Sequence, residues 1–504
     1  MNIKTSAVLL AAAVLAGCKT VGTDYTGPKP GVQPSAFARG AGPDMPPPGQ
    51  QVLAQWWTAL EDPTLDRLVD RALRASPNLA VARARLRQAR AALRSERANR
   101  LPNGNATLLA AHAHLPPLDD IAGQAAQQGG QQGGQSGAQG GGQGLNLPSS
   151  LNLYSLGFDA TWEIDLFGGQ RRATEAAAAA ADAAEANLAD AQLSLVAEVA
   201  QAYVNLRATQ ARQALSAAAV DRQQRAVDLT QRRVEGGTAS RLDLERLQGQ
   251  LESTRADAEP LAAQLDAMRD ELAVLVGVAP GALDADLGAP VRDAAAVPLP
   301  PPSVAVGDPA AMLRRRPDIR AAERTLAARH AQVGQAEAAR FPRLTLLGLI
   351  GIGGTHPRDL THLGDYSAIA APQLSWNVLD FGRIGAGIEQ AEGVRDEAEA
   401  QYQLAVLGAL RDAEDALSRF RQRRQTLATI ARAKATADRA AELTRARQQA
   451  GTASLIDVLD VERQQLAAEQ NLAQAQAALT NDFIALHKAL GLGWEAAGER
   501  TAAR

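Results

Sequence analysis

The sequence predicts an α+β membrane protein built from two internal repeats, in which long helices adjoin membrane β-strands. Three observations carry this reading. The same residues return at fixed offsets along the 504-residue chain. Two Ala-rich tracts of about 65 residues each follow a helical pattern. One stretch alternates apolar and polar residues over twelve positions, the period of a strand with two unlike faces.

The repeat comes first, because a missed repeat misreads the whole fold. Trp162 with Phe167-Gly168 returns as Trp376 with Phe381-Gly382. Gly237-Thr238-Ala239-Ser240 and Asp243 return as Gly451-Thr452-Ala453-Ser454 and Asp457, and Gly277 returns as Gly491. All of these share an offset of 214 residues, whereas Pro77 and Leu101-Pro102 return as Pro317 and Phe341-Pro342 at an offset of 240. The first copy is therefore 26 residues longer between Pro102 and Trp162, and the Gly/Gln-rich tract at residues 123–144 accounts for nearly all of that. A duplication with one lengthened loop, residues 119–148, is the simplest explanation.

Each copy reads helix, two strands, long helix, helix. The first copy spans residues 77–277 and the second 317–491, joined by a linker at 278–316. The opening helices are expected at 77–100 and 317–340, each with Pro at an allowed first-turn position and each stopped by Pro102 or Pro342. The long helices, 170–234 and 384–449, would each reach roughly 100 Å at 1.5 Å per residue. Within the first, Val196, Val199, Tyr203 and Leu206 fall at coiled-coil spacing. Each long helix ends at a glycine turn, Gly236-Gly237 or Gly451.

Strands are expected at 103–113, 153–165, 343–353 and 366–378. In the second, Tyr154, Leu156, Phe158, Ala160, Trp162 and Ile164 share one face, and Ser155, Gly157, Asp159, Thr161, Glu163 and Asp165 the other. That pattern fits a membrane strand with lipid outside and water inside; a half-buried strand of a soluble sandwich would show the same alternation. The fourth strand repeats it through Tyr366, Leu374, Trp376 and Val378, interrupted by Pro372, which must fall where no ladder donor is needed. Four strands cannot close a barrel, and open edges are not tolerated in lipid. Several copies must therefore join, giving 8, 12 or 16 strands.

The N-terminus supplies a location. An apolar run of eleven residues, 6–16, follows Lys4 and is too short for a spanning helix. Residues 1–17 read as a signal peptide. Leu15-Ala16-Gly17-Cys18 resembles a bacterial lipobox, and Cys18 is the only cysteine in the chain, so Cys18 is the expected lipidation site. Lys19 after it favours outer-membrane sorting. Residues 18–76 then form a lipidated N-terminal segment, and 492–504 a C-terminal tail. A net charge of −3 makes no case for nucleic acid, and a single cysteine excludes an intrachain disulfide and a Cys-based zinc site. Aromatics are 3% of residues, which argues against a conventional large globular core. No phosphate loop or nucleophile elbow is present, so the reading is a non-enzyme with no cofactor. His112 and His114 share a strand face, but histidines without a metal are the expected case.

These stretches resemble the TolC/OprM outer membrane factor family, in its NodT-like lipoprotein branch. The resemblance runs through Trp56-Trp57, RRRPDIRAA at 314–322, GQAEAARFP at 334–342, the Trp162 and Trp376 segments, and LIDVLD at 455–460. It implies a homotrimer with a 12-stranded outer-membrane barrel continuous with a periplasmic α-helical barrel. It also implies an equatorial belt formed by the N-terminal segment, the linker and the tail. The partners implied are a periplasmic adaptor and an inner-membrane pump of RND type, with outer-membrane lipid around the barrel. The function implied is the outer-membrane channel of a tripartite efflux system. A type I protein-secretion outlet of the same architecture, or a non-channel coiled-coil lipoprotein, are the alternatives.

Both lines of reasoning place the gate at the glycine turns. Asp243, Asp457 and Asp460 follow them, and in an oligomer each becomes a carboxylate ring able to select cations. The competing reading is acids favoured at helix N-termini by the dipole. Gly237, Thr238, Gly451 and Thr452 are the expected adaptor-docking turns. The family's closed-state lock carries over only in part, because Gln448 and Ala453 stand where an aromatic and an arginine are expected.

Overall fold

The computed structural model describes residues 20–28, 31, 34–39, 55–114, 150–287, 297–362, 364 and 366–494. Cys18, the Gly/Gln-rich tract, linker residues 288–296 and the tail from 495 lie outside the described residues. In chain order the helices and strands are α1 (Pro63–Ala75), α2 (Pro77–Ala98), β1 (Asn103–His114), β2 (Ser150–Ile164), α3 (Gly169–Glu235), α4 (Arg241–Leu275), α5 (Asp284–Leu287), α6 (Pro309–Arg315), α7 (Pro317–Ala338), β3 (Arg343–Gly354), β4 (Tyr366–Ser375), α8 (Arg383–Gln449) and α9 (Leu455–Ala489). Single 3-10 turns occur at Trp56–Leu60 and Pro357–Thr361. The order α2-β1-β2-α3-α4 recurs as α7-β3-β4-α8-α9. Corresponding helices have 22, 67 and 35 residues in both sets.

The chain divides into two compact units, and each draws on both repeats. The repeats at 77–277 and 317–491 are thus units of sequence rather than separate bodies.

One unit comprises Met1–Asp24, Ala92–Ala176 and His330–Glu392, and holds the sheet. Its strands run antiparallel in the order β1-β2-β3-β4. Residues paired across an antiparallel ladder share a face, so the register assigns the faces. Leu108 opposes Leu156, which opposes Ile352, which opposes Tyr366; Phe158 opposes Ile350; Trp162 opposes Leu346; Leu344 opposes Leu374. This face is apolar on all four strands up to the far end of β1 and β2, where His112 and Asn152 pair. The other face is mixed: it carries Asn105, Thr107, Asp159, Thr161, Glu163, Thr345 and Gln373, with Asn105 Nδ2 donating to Asp159 at 3.2 Å, and also Leu109, Leu153, Leu347, Leu349 and Ile369. β1 and β4 are edges without a partner strand among the described residues.

Several boundaries correct the sequence reading. β4 ends at Ser375 rather than 378, because its partner β3 begins only at Arg343, after Pro342, and Arg343 already opposes Ser375. Trp376 leaves the ladder, and its indole donates to the Arg340 carbonyl at 3.0 Å. β2 begins at Ser150 rather than 153 and ends at Ile164, one residue short of 165, since β1 extends to His114 and pairs with it there. The opening helices stop at Ala98 and Ala338, two residues short of 100 and 340. Leu101 and Phe341 amides then bond back to the Ala98 and Ala338 carbonyls in a turn, as the residue before a proline disfavours helix.

The same unit docks residues 21–24. Arg172, 3% exposed, donates from Nε and Nη2 to the Val21 and Gly22 carbonyls at 3.0 Å each, and pairs with Asp24 at 2.9 Å and Glu175 at 2.6 Å. Gly22 is required here: its φ is +82°, and a Cβ would meet Gly334 Cα at 2.8 Å.

The other unit, Tyr25–Ala91, Ala177–Arg329 and Gly393–Arg504, is helical. Low aromatic content does not prevent a large core, contrary to expectation. Leu, Val and Ala supply most of it, around the few aromatics Phe37, Trp56, Trp57, Tyr203, Phe420 and Phe483. Val196, Val199, Tyr203 and Leu206 of α3 are each at most 1% exposed. The Tyr203 hydroxyl donates to Asp62 at 2.8 Å and accepts from Arg207 at 2.7 Å, and Asp62 in turn caps α1 through the Thr64 and Leu65 amides. Trp56 packs edge-on against Trp57 and Phe483, and its indole donates to the Leu492 carbonyl. Among the described residues, no helix is long and apolar enough to cross a membrane.

Candidate gate and docking turns

The two glycine turns belong to the helical unit, and each residue of Gly-Thr-Ala-Ser has a local task. α3 ends when Gly237 takes φ +68°, a left-handed C′ position that suits glycine. The Gly237 amide then reaches the Val234 carbonyl at 3.0 Å, and the Thr238 amide reaches Arg233 at 2.7 Å. The Thr238 hydroxyl adds a second bond to Arg233 at 3.1 Å. Ser240 caps α4 by accepting from the Leu242 amide. The second turn repeats the scheme with Gly451 at φ +76°, Thr452 on Arg447 at 2.8 Å through its amide and 3.1 Å through its hydroxyl, and Ser454 as cap.

The caps differ in one respect. Ser454 accepts from the Asp457 amide at 3.2 Å, while Asp457 Oδ2 accepts from the Ser454 amide at 2.9 Å and hydroxyl at 2.8 Å, a full capping box. These bonds, with Arg447 nearby, hold the Asp457 carboxyl below the usual carboxylate range. Asp243 stands in the first turn of α4, half-buried. Asp460 is exposed and pairs with Arg463 at 3.2 Å. The structure thus brings all three aspartates to the helix starts just after the turns.

A Cβ on Gly237 or Gly451 would meet nothing within 4 Å. Beneath the turns lies an apolar cluster of Val227, Leu244, Leu247 and Leu251, with Val220 and Val234 at its margin. Leu455 and Leu459 of α9 pack on it, so the second hairpin leans on the first. Further along, Gln470 donates to Ser216 at 3.0 Å and Asn481 to Asn205 at 2.8 Å, again α9 to α3. Within the second hairpin Arg445 donates to Glu462 at 2.9 Å and Gln465 at 2.8 Å, and Gln465 to Asp438 at 2.9 Å. Gln448 and Ala453 are half-buried. The sequence reading missed these ties. Leu455 was visible as part of LIDVLD, but only the packing tells which neighbour it meets.

His112 Nδ1 lies 2.6 Å from Asn152 Oδ1 across the ladder. Among the described residues no group of His, Cys, Asp or Glu is arranged to hold a metal.

The chain matches the outer membrane efflux protein family over residues 68–278 and 309–492. It is 30% identical over 491 residues to nodulation protein T of Rhizobium leguminosarum bv. viciae, covering 97% of this chain and 94% of that protein. It is 30% identical over 443 residues to the pyoverdine export outer membrane protein OpmQ of Pseudomonas aeruginosa, covering 88% of each. Among solved structures, the outer-membrane channel OprN superposes with a TM-score of 0.80 at 33% identity, covering 94% of this chain and all of that one. The Neisseria gonorrhoeae MtrE outer membrane channel gives 0.75 at 26% identity, covering 94% and 98%. With matching blocks across both repeats and channels of the same fold over nearly the whole chain, this protein belongs to the outer membrane efflux protein family.

Proposed function

We propose that the protein is the outer-membrane channel of a tripartite efflux system, conducting substrates passively after an inner-membrane pump and a periplasmic adaptor deliver them. The observation that carries this is the sheet: one face is largely apolar across four strands, the other carries Asn105, Thr107, Asp159, Thr161, Glu163, Thr345 and Gln373, and both edges are unpaired among the described residues. Such a sheet suits lipid on one side and water on the other only once its edges close. In this reading three copies close a 12-stranded barrel in the outer membrane, and the long helices form the periplasmic part of the tunnel. Cys18 carries the lipid anchor.

The open surface at Gly237, Thr238, Gly451 and Thr452 is the adaptor-docking site, and the pump is of the RND type. Asp243, Asp457 and Asp460 form carboxylate rings at the tunnel mouth, with Asp457 serving its capping box as well. The conduit needs no reaction chemistry of its own. Its energy comes from the pump, and substrate choice follows from what the pump loads.

Single-channel conductance of the purified trimer in planar bilayers tests this, comparing wild type with Asp457→Ala/Asp460→Ala. Cation-selective openings that lose selectivity in the double variant are expected. Openings with unchanged selectivity would leave the channel but remove the rings. Absence of any conductance would overturn the channel reading.

A further inference from the structure

The helix that leads into β1 carries a charge that its counterpart in the second repeat lacks. Between residues 83 and 100, α2 and the turn after it hold seven arginines, at 83, 85, 87, 90, 94, 97 and 100, against one acid, Glu96. Arg83, Arg87, Arg90, Arg94 and Arg97 step by 4, 3, 4 and 3, so they form one stripe along the helix. Arg83 donates to the Leu73 carbonyl at 2.8 Å, and Arg90 pairs with Glu185 at 3.1 Å. Arg94, Arg97 and Arg100 are exposed, and their side chains bond to no described residue. At the offset of 240 their counterparts are Gly334, Glu337 and Arg340. The first repeat thus places three positive charges where the second, with Glu337 cancelling Arg340, places none. In the second repeat residues 21–24 cover this position, and Gly22 lies against Gly334.

The stripe meets the sheet where its apolar face ends. Trp162 belongs to that face, and its indole donates to the Arg100 carbonyl at 2.9 Å. That bond occupies an acceptor just past α2 that would otherwise repel an anion. Glu96 and Asn99 face another way: they line a cavity with Asp165 and with Glu163 of the sheet's other face. At about 100° per residue, Arg94 lies about 200° around the helix from Glu96, on the side away from that cavity. Beside Trp162 is an apolar hollow lined by Pro102, Ala160, Leu346, Gly348 and Pro372. One patch therefore joins three unpaired guanidinium groups, an indole and an apolar hollow.

We propose that this patch binds an anionic phospholipid of the leaflet facing the periplasm. Arg97 and Arg100 take the phosphate, Arg94 adds charge behind them, and an acyl chain covers Trp162 and the hollow. This rests on the barrel reading above, which puts the apolar face in lipid. Guanidinium groups offer paired N–H donors that match phosphate oxygens, and indoles favour the depth of the headgroups. An acidic protein segment would answer the arginines but not the apolar hollow beside them, whereas a phospholipid answers both. The second repeat takes no such lipid, because Glu337 repels phosphate and residues 21–24 already fill the place.

Native mass spectrometry of the detergent-purified protein tests the site, with dioleoyl phosphatidylglycerol and dioleoyl phosphatidylcholine added at equal concentration. Arg97→Gln/Arg100→Gln is compared with Arg85→Gln/Arg87→Gln, which removes the same charge from the same helix farther from the sheet. Wild type should retain phosphatidylglycerol at least about fivefold over phosphatidylcholine. The 85/87 variant should keep that preference and the 97/100 variant should lose it. An excess of inorganic phosphate should leave the lipid in place. Equal retention by the two variants, no preference in wild type, or displacement by inorganic phosphate overturns the lipid site. Light scattering separates misassembly: a 97/100 variant that falls to monomers whichever lipid is present assigns these arginines to contact between copies, which also overturns it. The channel reading fails separately, by absence of wild-type conductance in planar bilayers of either lipid.

Discussion

Acidification is expected to weaken the helical unit through His487. Its ring is buried against Trp56 at 5.4 Å and Phe483 at 4.1 Å, with Nδ1 2.9 Å from the Phe483 carbonyl. Burial lowers its pKa from 6.5 to about 4; the Arg315 cation pushes the same way, and the Phe483 carbonyl opposes it. The unfolded imidazole takes a proton near pH 6.5, whereas the folded one stays neutral until about pH 4. Below pH 6.5 the unfolded state binds more protons, so stability is complete above that value and is lost as pH falls toward 4. At 1.36 kcal/mol per pH unit the whole interval is worth about 3 kcal/mol, of which about 2 kcal/mol is gone at pH 5. At roughly 2 °C per kcal/mol, Tm should fall by about 4 °C between pH 7 and 5 from this residue alone. Carboxylates titrate over the same range, so the quantity to read is a difference. Thermal melts followed by Trp fluorescence in detergent should show a steeper pH slope for wild type than for His487→Leu, whatever the offset between them. Parallel curves would refute the reasoning.

Two further perturbations separate backbone conformation from contact. Gly277→Ala and Gly237→Ala both place a side chain at positive φ, worth about 1 kcal/mol, but a Cβ at Gly277 would also meet the Ala75 carbonyl oxygen at 2.4 Å while Gly237 has open space. The Gly277 variant should therefore lose at least about 2 kcal/mol more than the Gly237 variant, read as the difference in Tm or folded yield. Ser454→Ala removes the cap of α9 at about 1 kcal/mol, so amide exchange at residues 455–458 should quicken roughly fivefold, with residues 473–486 in the buried half of α9 unchanged.

The element order, the turn glycines and the two-faced strands were legible because each is a local signal. Pro102 and Pro342 stop helices, Gly237 and Gly451 end them, and alternation from Tyr154 marks a strand. Strand ends were less legible, since Trp376 continues the alternation but finds no partner once β3 has begun at Arg343. Long-range partners were not legible at all. Nothing near Arg172 announces that it holds Val21 and Gly22, 150 residues earlier. Nothing near Asp457 distinguishes a capping box from a free carboxylate, because the box depends on the Ser454 rotamer rather than on residue type, and Ser240 with Asp243 offers the same types.

That last comparison bears on which hairpin of the proposed gate is the less firmly held. The two hairpins have the same length and the same turn, but different interiors near the tip. α4 buries Leu244, Leu247, Leu251 and Thr254 in sequence, so its first four turns are held by apolar contact. α9 buries only Val458 before Ala473. Over that stretch the ties between α8 and α9 include the polar group Arg445, Glu462, Gln465 and Asp438, and the Arg445 and Glu462 side chains are 41% and 23% exposed. Part-exposed ion pairs contribute at most about 1 kcal/mol each and weaken with salt, whereas each buried leucine contributes about 2 kcal/mol and does not. The second hairpin is therefore the lower-stability element near the tip, and its apolar hold on the first there is the contact of Leu455 and Leu459 with the Val227–Leu247 cluster. Movement at the tip must break that apolar contact, while the first hairpin keeps its own.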